Sequence, residues 1–191
     1  MKLTLIRHGI TEGNAKHLYY GATDLPLSKE GIEMLKAAAL CYDYPMAKHY
    51  CTSGMLRAEQ TLQIIYGDIP HAQISDLREM DFGVFEMRGF YGDLEHDAAF
   101  RLWCQDNVEE NVCPGGESAR QMADRALRAI TPIIEREEDT VCITHGGVIA
   151  RLMMQWFPDD SGNPYRFTPD AGSGYQIVFQ GTTPLSFRSI G

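Results

Sequence analysis

Positive charge is scarce in this chain: 17 lysines and arginines stand against 26 aspartates and glutamates over 191 residues, a formal net charge of -9. Lys and Arg form no run, so the electrostatic footprint of a nucleic-acid binder, or of a protein seated on an anionic membrane, is missing. Neither nucleic acid nor membrane is an expected partner. Long apolar runs are missing too. The opening stretch Leu3-Thr4-Leu5-Ile6 is far too short for a signal peptide or a membrane span, and the expected location is cytoplasmic. The five cysteines, Cys41, Cys51, Cys104, Cys113 and Cys142, are odd in number and lack C-x-x-C or zinc-ribbon spacing. They read as buried thiols. No internal repeat or low-complexity tract divides the chain, and 44% hydrophobic content over this length is enough for one sizeable core. The expectation is a single domain over 1–191.

Strand and helix signals alternate along most of the sequence. Leu3 to Ile6 reads as a short buried strand, and Ser28 as the cap of a helix to about Leu40, with Gly31 at the position where a capping box would need Glu or Gln. His49 to Ser53 has strand character, Leu56 to Tyr66 reads as a helix ended by Gly67, and Ala72 to Ser75 as another short strand. Residues 77–118, with turn-like Gly83, Gly89 and Gly92, a helix expected from Asp93 to Gln105 and the break at Pro114-Gly115-Gly116, read as a cap-like insertion over the sheet. Met122, Ala126, Ile130 and Ile133 then repeat at helical spacing, with a kink or local unwinding expected at Pro132. Val141 to Ile143 is a buried strand feeding a helix with Val148, Ile149, Leu152 and Met153 on one stripe. Strands near Tyr175 to Phe179 and Leu185 to Arg188 close the chain. The expected class is α/β with a mainly parallel sheet.

Three of these strands end in groups suited to an anion. Arg7 and His8 follow the first, Arg57 follows the second, and His145 follows the one ending at Thr144. Ligands of open α/β sheets bind beyond the carboxyl ends of the strands, where helix N-termini also direct backbone N–H groups. Phosphoryl transfer needs neutralised equatorial oxygens, an in-line nucleophile and a proton for the leaving alkoxide. The planar fork of Arg7 and Arg57 suits the first need, and a neutral His8 imidazole with its other ring nitrogen held suits the second. For the proton source, Glu79 lies between apolar residues in a segment expected to fold against the site, with Asp81 and Glu86 as rivals. A dinuclear metal site, for which His8, His145 and Glu79 are ligand types, finds no H-x-H or H-E-x-x-H spacing.

Laid out in order, these segments resemble the histidine phosphatase family, the phosphoglycerate mutase-like group. The resemblance runs from Met1 to about Val178 through Arg7-His8-Gly9 with Thr11 and Asn14, Asp24 to Gly31, Ser53 to Thr61 around Arg57, Leu77 to Gly83 around Glu79, and Thr144-His145-Gly146-Gly147. It implies a three-layer α/β/α sandwich with a mixed sheet and no cofactor or metal. It also implies a His8 that becomes phosphorylated, a phosphoryl group held by Arg7, Asn14, Arg57 and His145, and a Glu79 that protonates the leaving oxygen and then activates water. Two positions depart from the family pattern: Ile10 replaces a polar residue, and Met87 stands where glycine often follows Glu86. They bear on the pocket mouth and hence on substrate choice. Within the family, the short length and the stretch from Trp103 through Asp106 to Ser118 look more like phosphatases, including those acting on α-ribazole phosphate, than like mutases. The expected activity is hydrolysis of a small phosphomonoester; the alternatives are mutase-type transfer and a phospholigand-binding module without turnover.

Overall fold

The computed structural model describes residues 1–105, 109–160 and 162–191. Its elements are β1 (Lys2–Arg7), α1 (Glu12–Ala15), β2 (Leu18–Tyr19), α2 (Lys29–Cys41), β3 (His49–Thr52), α3 (Leu56–Tyr66), β4 (Ala72–Gln73), β5 (Arg88–Gly89), α4 (Ala98–Trp103), α5 (Ala119–Glu135), β6 (Thr140–Thr144), α6 (Gly146–Trp156), β7 (Gly174–Gln180) and β8 (Thr183–Ile190). The main sheet has the order β4-β3-β6-β1-β7-β8. β4, β3, β6 and β1 pair in parallel, whereas β7 runs antiparallel to both β1 and β8. The sheet is therefore mixed and mainly parallel, as the alternation of elements predicts.

Period-two alternation along the central strands divides the core. Leu3 and Leu5 of β1 and Cys142 of β6 join a cluster with Ala126 and Ile130 of α5 and Ile149 and Leu152 of α6. Ile6 of β1 and Val141 and Ile143 of β6 point the other way, onto Ala58 and Leu62 of α3. Helices thus cover both faces, giving three layers. Each fully buried Leu or Ile here contributes about 1.5–3 kcal/mol relative to leaving it in water.

Local chemistry sets most boundaries. Ser28 caps α2 by accepting the Gly31 N–H, and no capping-box partner answers it; α3 ends at Gly67, whose φ of 80° is accessible to glycine. Three expectations need correction. The helix expected over Asp93 to Gln105 is two pieces, a 3₁₀ turn at Leu94–His96 and α4, because Asp97 turns its carboxylate onto the Ala99 and Phe100 N–H groups and starts a new helix. The helix does not unwind at Pro132: α5 is continuous through it, since Pro132 costs one hydrogen bond near the helix end while Ile130, Ile133 and Ile134 are buried around it. Of the five cysteines, all unbridged, Cys41 and Cys104 are exposed because each sits at or just beyond a helix end. Asp106, which falls in the stretch that points to a phosphatase, lies with 107 and 108 outside the described residues, as does that part of the 77–118 insertion.

The rest of 77–118 is tied down by aromatic packing. Phe82, Phe85, Phe100 and Trp103 meet Tyr19 or one another at centroid distances of 5.2–6.4 Å. A two-stranded sheet, β2 with β5, adds backbone pairing between Leu18-Tyr19 and Arg88-Gly89.

Candidate active site

The register of the parallel strands brings the sequence-predicted groups together. Arg7 pairs with Thr144 and Thr52 with Ile143, so β1, β3 and β6 end side by side. The ladder continues past the strands: the His8 N–H donates to Thr144 O (3.0 Å) and the Ser53 N–H to Ile143 O (3.2 Å). Beyond this edge opens a pocket of about 800 Å³ with Arg7, His8, Asn14, Arg57 and Glu79 on its wall.

His8 is 4% exposed. Its Nδ1 lies 2.7 Å from Gly9 O. A carbonyl only accepts, so Nδ1 carries the proton and the Nε2 lone pair is left open. Burial, followed by the charge of Arg57, lowers the imidazole pKa to about 3, so the ring is neutral at ordinary pH. Gly9 is required beside it, since a Cβ there would lie 2.3 Å from Leu35 Cδ1.

The two arginines are anchored differently. Arg57 is fully buried and donates from Nε to His145 Nδ1 (3.3 Å), from Nη1 to Thr23 O (3.0 Å) and from Nη2 to Gly21 O (2.8 Å). Its acceptors are neutral; the Asp24 carboxylate comes no nearer than 4.0 Å. Arg7 donates from Nη1 to Pro169 O (2.9 Å), and among the described residues its Nε is buried without a hydrogen-bond partner. Both guanidinium groups keep N–H donors and full charge for an anion. Asn14 stands at the start of the pocket with Oδ1 accepting from the Thr11 N–H (3.0 Å) and the Tyr20 hydroxyl (2.8 Å), which leaves its amide N–H₂ free to donate.

His145 is brought to the site but behind its surface. It is fully buried, stands edge-on to His8 at a centroid distance of 5.0 Å, and has both ring nitrogens engaged, Nδ1 by Arg57 and Nε2 by Ser53 Oγ at 2.8 Å. Because Arg57 can only donate, Nδ1 accepts and Nε2 donates to Ser53. Burial, then Arg57 and His8, holds its pKa well below the ordinary histidine range.

The three candidate carboxylates are placed differently. Glu79 lines the pocket, with Oε2 accepting the Gly147 N–H (2.9 Å) at the start of α6 and Oε1 that of Met80 (3.0 Å). Asp81 is turned onto the Gly83 N–H. Glu86 is occupied by the N–H groups of Gly21, Ala22, Thr23 and Phe82. Met87, next to it, has φ of 62°, a left-handed conformation in which glycine would be unstrained.

Two supporting groups escape a reading of motifs. Arg125 of α5, 6% exposed, donates to the carbonyls of Asp76, Arg78 and Glu79 and forms a two-point contact with Glu117, whose carboxylate also accepts the Asp81 N–H. Arg151 of α6 lies on the pocket wall against Glu109. Helical periodicity marks α5 and α6 as packing helices, and a polar residue on such a helix gives no sequence signal of a partner many residues away. Much of the remaining wall is aromatic, with Tyr19, Tyr20, Phe82, Phe90, Trp103 and Tyr165 beside apolar Leu18, Met80 and Met122 and the imidazole of His17. No group of three or more ligand-type side chains suited to a metal ion occurs among the described residues.

Fold and site together define a class: a three-layer α/β sandwich whose sheet edge holds a neutral histidine between two arginines. The family model of the histidine phosphatase superfamily, branch 1, matches residues 3–187, and the chain belongs to that superfamily. It is 30% identical over 180 residues to the adenosylcobalamin/alpha-ribazole phosphatase of Salmonella typhimurium, covering 90% of this chain and 87% of that one. It is 31% identical over 174 residues to the 2,3-bisphosphoglycerate-dependent phosphoglycerate mutase of Xanthobacter autotrophicus, covering 80% and 79%. Among solved structures, a putative alpha-ribazole-5'-P phosphatase from Escherichia coli superimposes with a TM-score of 0.87 at 26% identity, covering 98% of this chain and 94% of that one. No helix among the described residues is long and apolar enough to cross a membrane.

Proposed function

We propose that the chain is a phosphatase that hydrolyses a small phosphomonoester through a phosphohistidine at His8. The observation that carries this reading is the tautomer of His8: Nδ1 is tied to Gly9 O, leaving a neutral, nucleophilic Nε2 at a pocket walled by Arg7 and Arg57. Nε2 attacks phosphorus as the bond to the alcohol oxygen breaks, and Glu79 delivers a proton to that oxygen. Glu79 then takes a proton from water as the water oxygen attacks phosphorus and the P–N bond breaks, releasing inorganic phosphate and restoring His8. Arg7, Arg57 and the Asn14 amide hold the equatorial oxygens, and His145 serves the phosphate site by fixing Arg57 through its Nδ1. The arginines supply the positive charge that a metal ion would otherwise bring, so the reaction is proposed to be metal-independent. The described residues of 77–118 are read as a cap on a single domain, supported by the placement of Met80, Phe82, Phe90 and Trp103 on the pocket wall. That wall suits an alcohol with a flat apolar part, as α-ribazole phosphate has, and the unbridged thiols accord with a cytoplasmic site of action.

Incubation with a ³²P-labelled monoester, followed by acid and alkaline quench, tests the reading. Acid-labile label is expected on wild type and none on His8→Ala, with turnover of a panel including α-ribazole phosphate unchanged by EDTA. Full phosphatase rate in His8→Ala would overturn it. Transfer of phosphate between phosphoglycerate hydroxyls with little free phosphate would assign a mutase, and binding without turnover across the panel a ligand-binding module.

A further inference from the structure

Arg151 and Glu109 are not used by the phosphoryl chemistry. Arg151 lies one helical turn beyond Gly147, the residue whose N–H holds Glu79, and its side chain is 8% exposed on the pocket wall. It donates from Nε to Glu109 Oε2 (3.2 Å) and from Nη2 to Glu109 Oε1 (2.9 Å), the two-point match of guanidinium and carboxylate. Longer contacts run from Nη2 to the Tyr165 hydroxyl (3.4 Å) and from Nη1 to Gly147 O (3.5 Å), and the guanidinium carbon lies 5.3 Å from the centre of the Tyr165 ring. Most of the five N–H donors of this guanidinium are therefore engaged, and its charge is matched within the protein.

The contrast with the other two pocket arginines is informative. Arg7 and Arg57 are hydrogen-bonded by neutral acceptors, with the Asp24 carboxylate only at 4.0 Å from Arg57, whereas Arg151 is paired at two points with a carboxylate. We propose that the Glu109–Arg151 pair is a specificity filter on the alcohol side of the pocket, admitting phosphomonoesters whose alcohol is uncharged and disfavouring those that carry a carboxylate or second phosphate. This deepens the phosphatase reading above and rests on it. A second anion on the substrate would meet an Arg151 whose charge Glu109 already matches, so it would bring a second carboxylate to one cation or stay unpaired in a pocket rich in aromatic side chains. With Glu109 neutralised, Arg151 becomes a ready receptor for such an anion.

The test compares kcat/KM for phenyl phosphate with that for phosphoserine and 3-phosphoglycerate. Wild type is expected to favour phenyl phosphate. Glu109→Gln is expected to raise the ratio of carboxylate-bearing to neutral substrate at least fivefold, chiefly through KM, and Glu109/Arg151→Gln/Met to abolish the gain. Glu109→Ser uncovers the same cation and carries the same expectation should the amide variant fold poorly. A smaller rise in the single variants, or a gain that survives loss of Arg151, would overturn the filter. Wild-type protein that hydrolyses neither these esters nor α-ribazole phosphate would sink the phosphatase reading and the filter with it; hydrolysis of α-ribazole phosphate alone, or of these esters with an unmoved ratio, sinks the filter alone.

Discussion

Glu86 and Arg57 are joined through the peptide groups of a single turn. The Glu86 carboxylate takes the N–H groups of Gly21, Ala22 and Thr23, and the carbonyls of Gly21 and Thr23 face the other way to receive Arg57. An anion on one side of the turn thus orients the dipoles that hold a cation on the other. Glu86→Gln keeps the shape but replaces charged acceptors by one neutral oxygen and an N–H₂ that opposes the donors. Hydrogen bonds to charged groups contribute about 1.5–3 kcal/mol each, so loosening this turn is expected to weaken inorganic phosphate binding roughly tenfold or more. Competitive inhibition by phosphate measures it, and an unchanged inhibition constant would separate Arg57 from the turn.

Arg125 works on the segment that bears Glu79. Its guanidinium draws together the carbonyls of residues 76, 78 and 79 and locks them to Glu117. Arg125→Met is expected to destabilise the fold by about 3–5 kcal/mol, because Glu117 would be left charged, largely buried and unpaired. Arg125→Lys, which retains the charge without the fork, is expected to fold and to lose mainly kcat, with KM little changed. Urea denaturation and steady-state kinetics distinguish the two effects.

At Gly147 the missing side chain matters directly. An added Cβ would stand 2.5 Å from Glu79 Oε1, so Gly147→Ala is expected to push the carboxylate aside while leaving the two arginines in place. Loss of a positioned general acid costs about 10²–10⁴-fold. A fall in kcat of about a hundredfold with phosphate affinity preserved is the expected outcome. The loss should be smaller for esters with acidic leaving groups, such as p-nitrophenyl phosphate, which need less protonation.

The buried imidazoles also predict an acid-sensitive fold. His8 has its pKa lowered from 6.5 to about 3 by burial and then Arg57, and His145 is lowered well below 6.5 by burial and then Arg57. Below about pH 6.5 the unfolded chain binds protons at both positions that the folded chain does not, for His8 down to about pH 3, so stability falls as pH falls below 6.5. Each histidine contributes up to about 1.4 kcal/mol per pH unit there. Urea midpoints from pH 7.5 to 4.5 should decline, and His8→Asn should decline less steeply.

The convergence of Arg7, His8, Arg57 and His145 is legible because each ends or follows a strand, and parallel strands must deliver their carboxyl ends to one edge. Glu79 carries a weaker signal, an acid among apolar residues, and its rivals Asp81 and Glu86 differ from it in being turned onto backbone groups away from the pocket that Glu79 lines. That difference is tertiary. The same holds for Arg125 and Arg151, whose helices advertise an apolar stripe and nothing about the carboxylates that meet them from residues 109 and 117. The helix expected over 93–105 failed for a local reason: Asp97 competes for the backbone as a cap, and its charge makes that competition effective. His145 shows a further limit, since its place behind His8 follows from Ser53 and Arg57 both reaching it.

The amide of His8 belongs to the β1–β6 ladder through its bond to Thr144 O, and its imidazole is tethered to the adjoining carbonyl. Both the backbone and the ring of His8 are thereby tied to the edge of the sheet. In the proposed half-reactions the phosphorus therefore makes the journey, approaching a tethered ring and then leaving it, and adjustment to substrates of different size is expected of the aromatic cover rather than of His8.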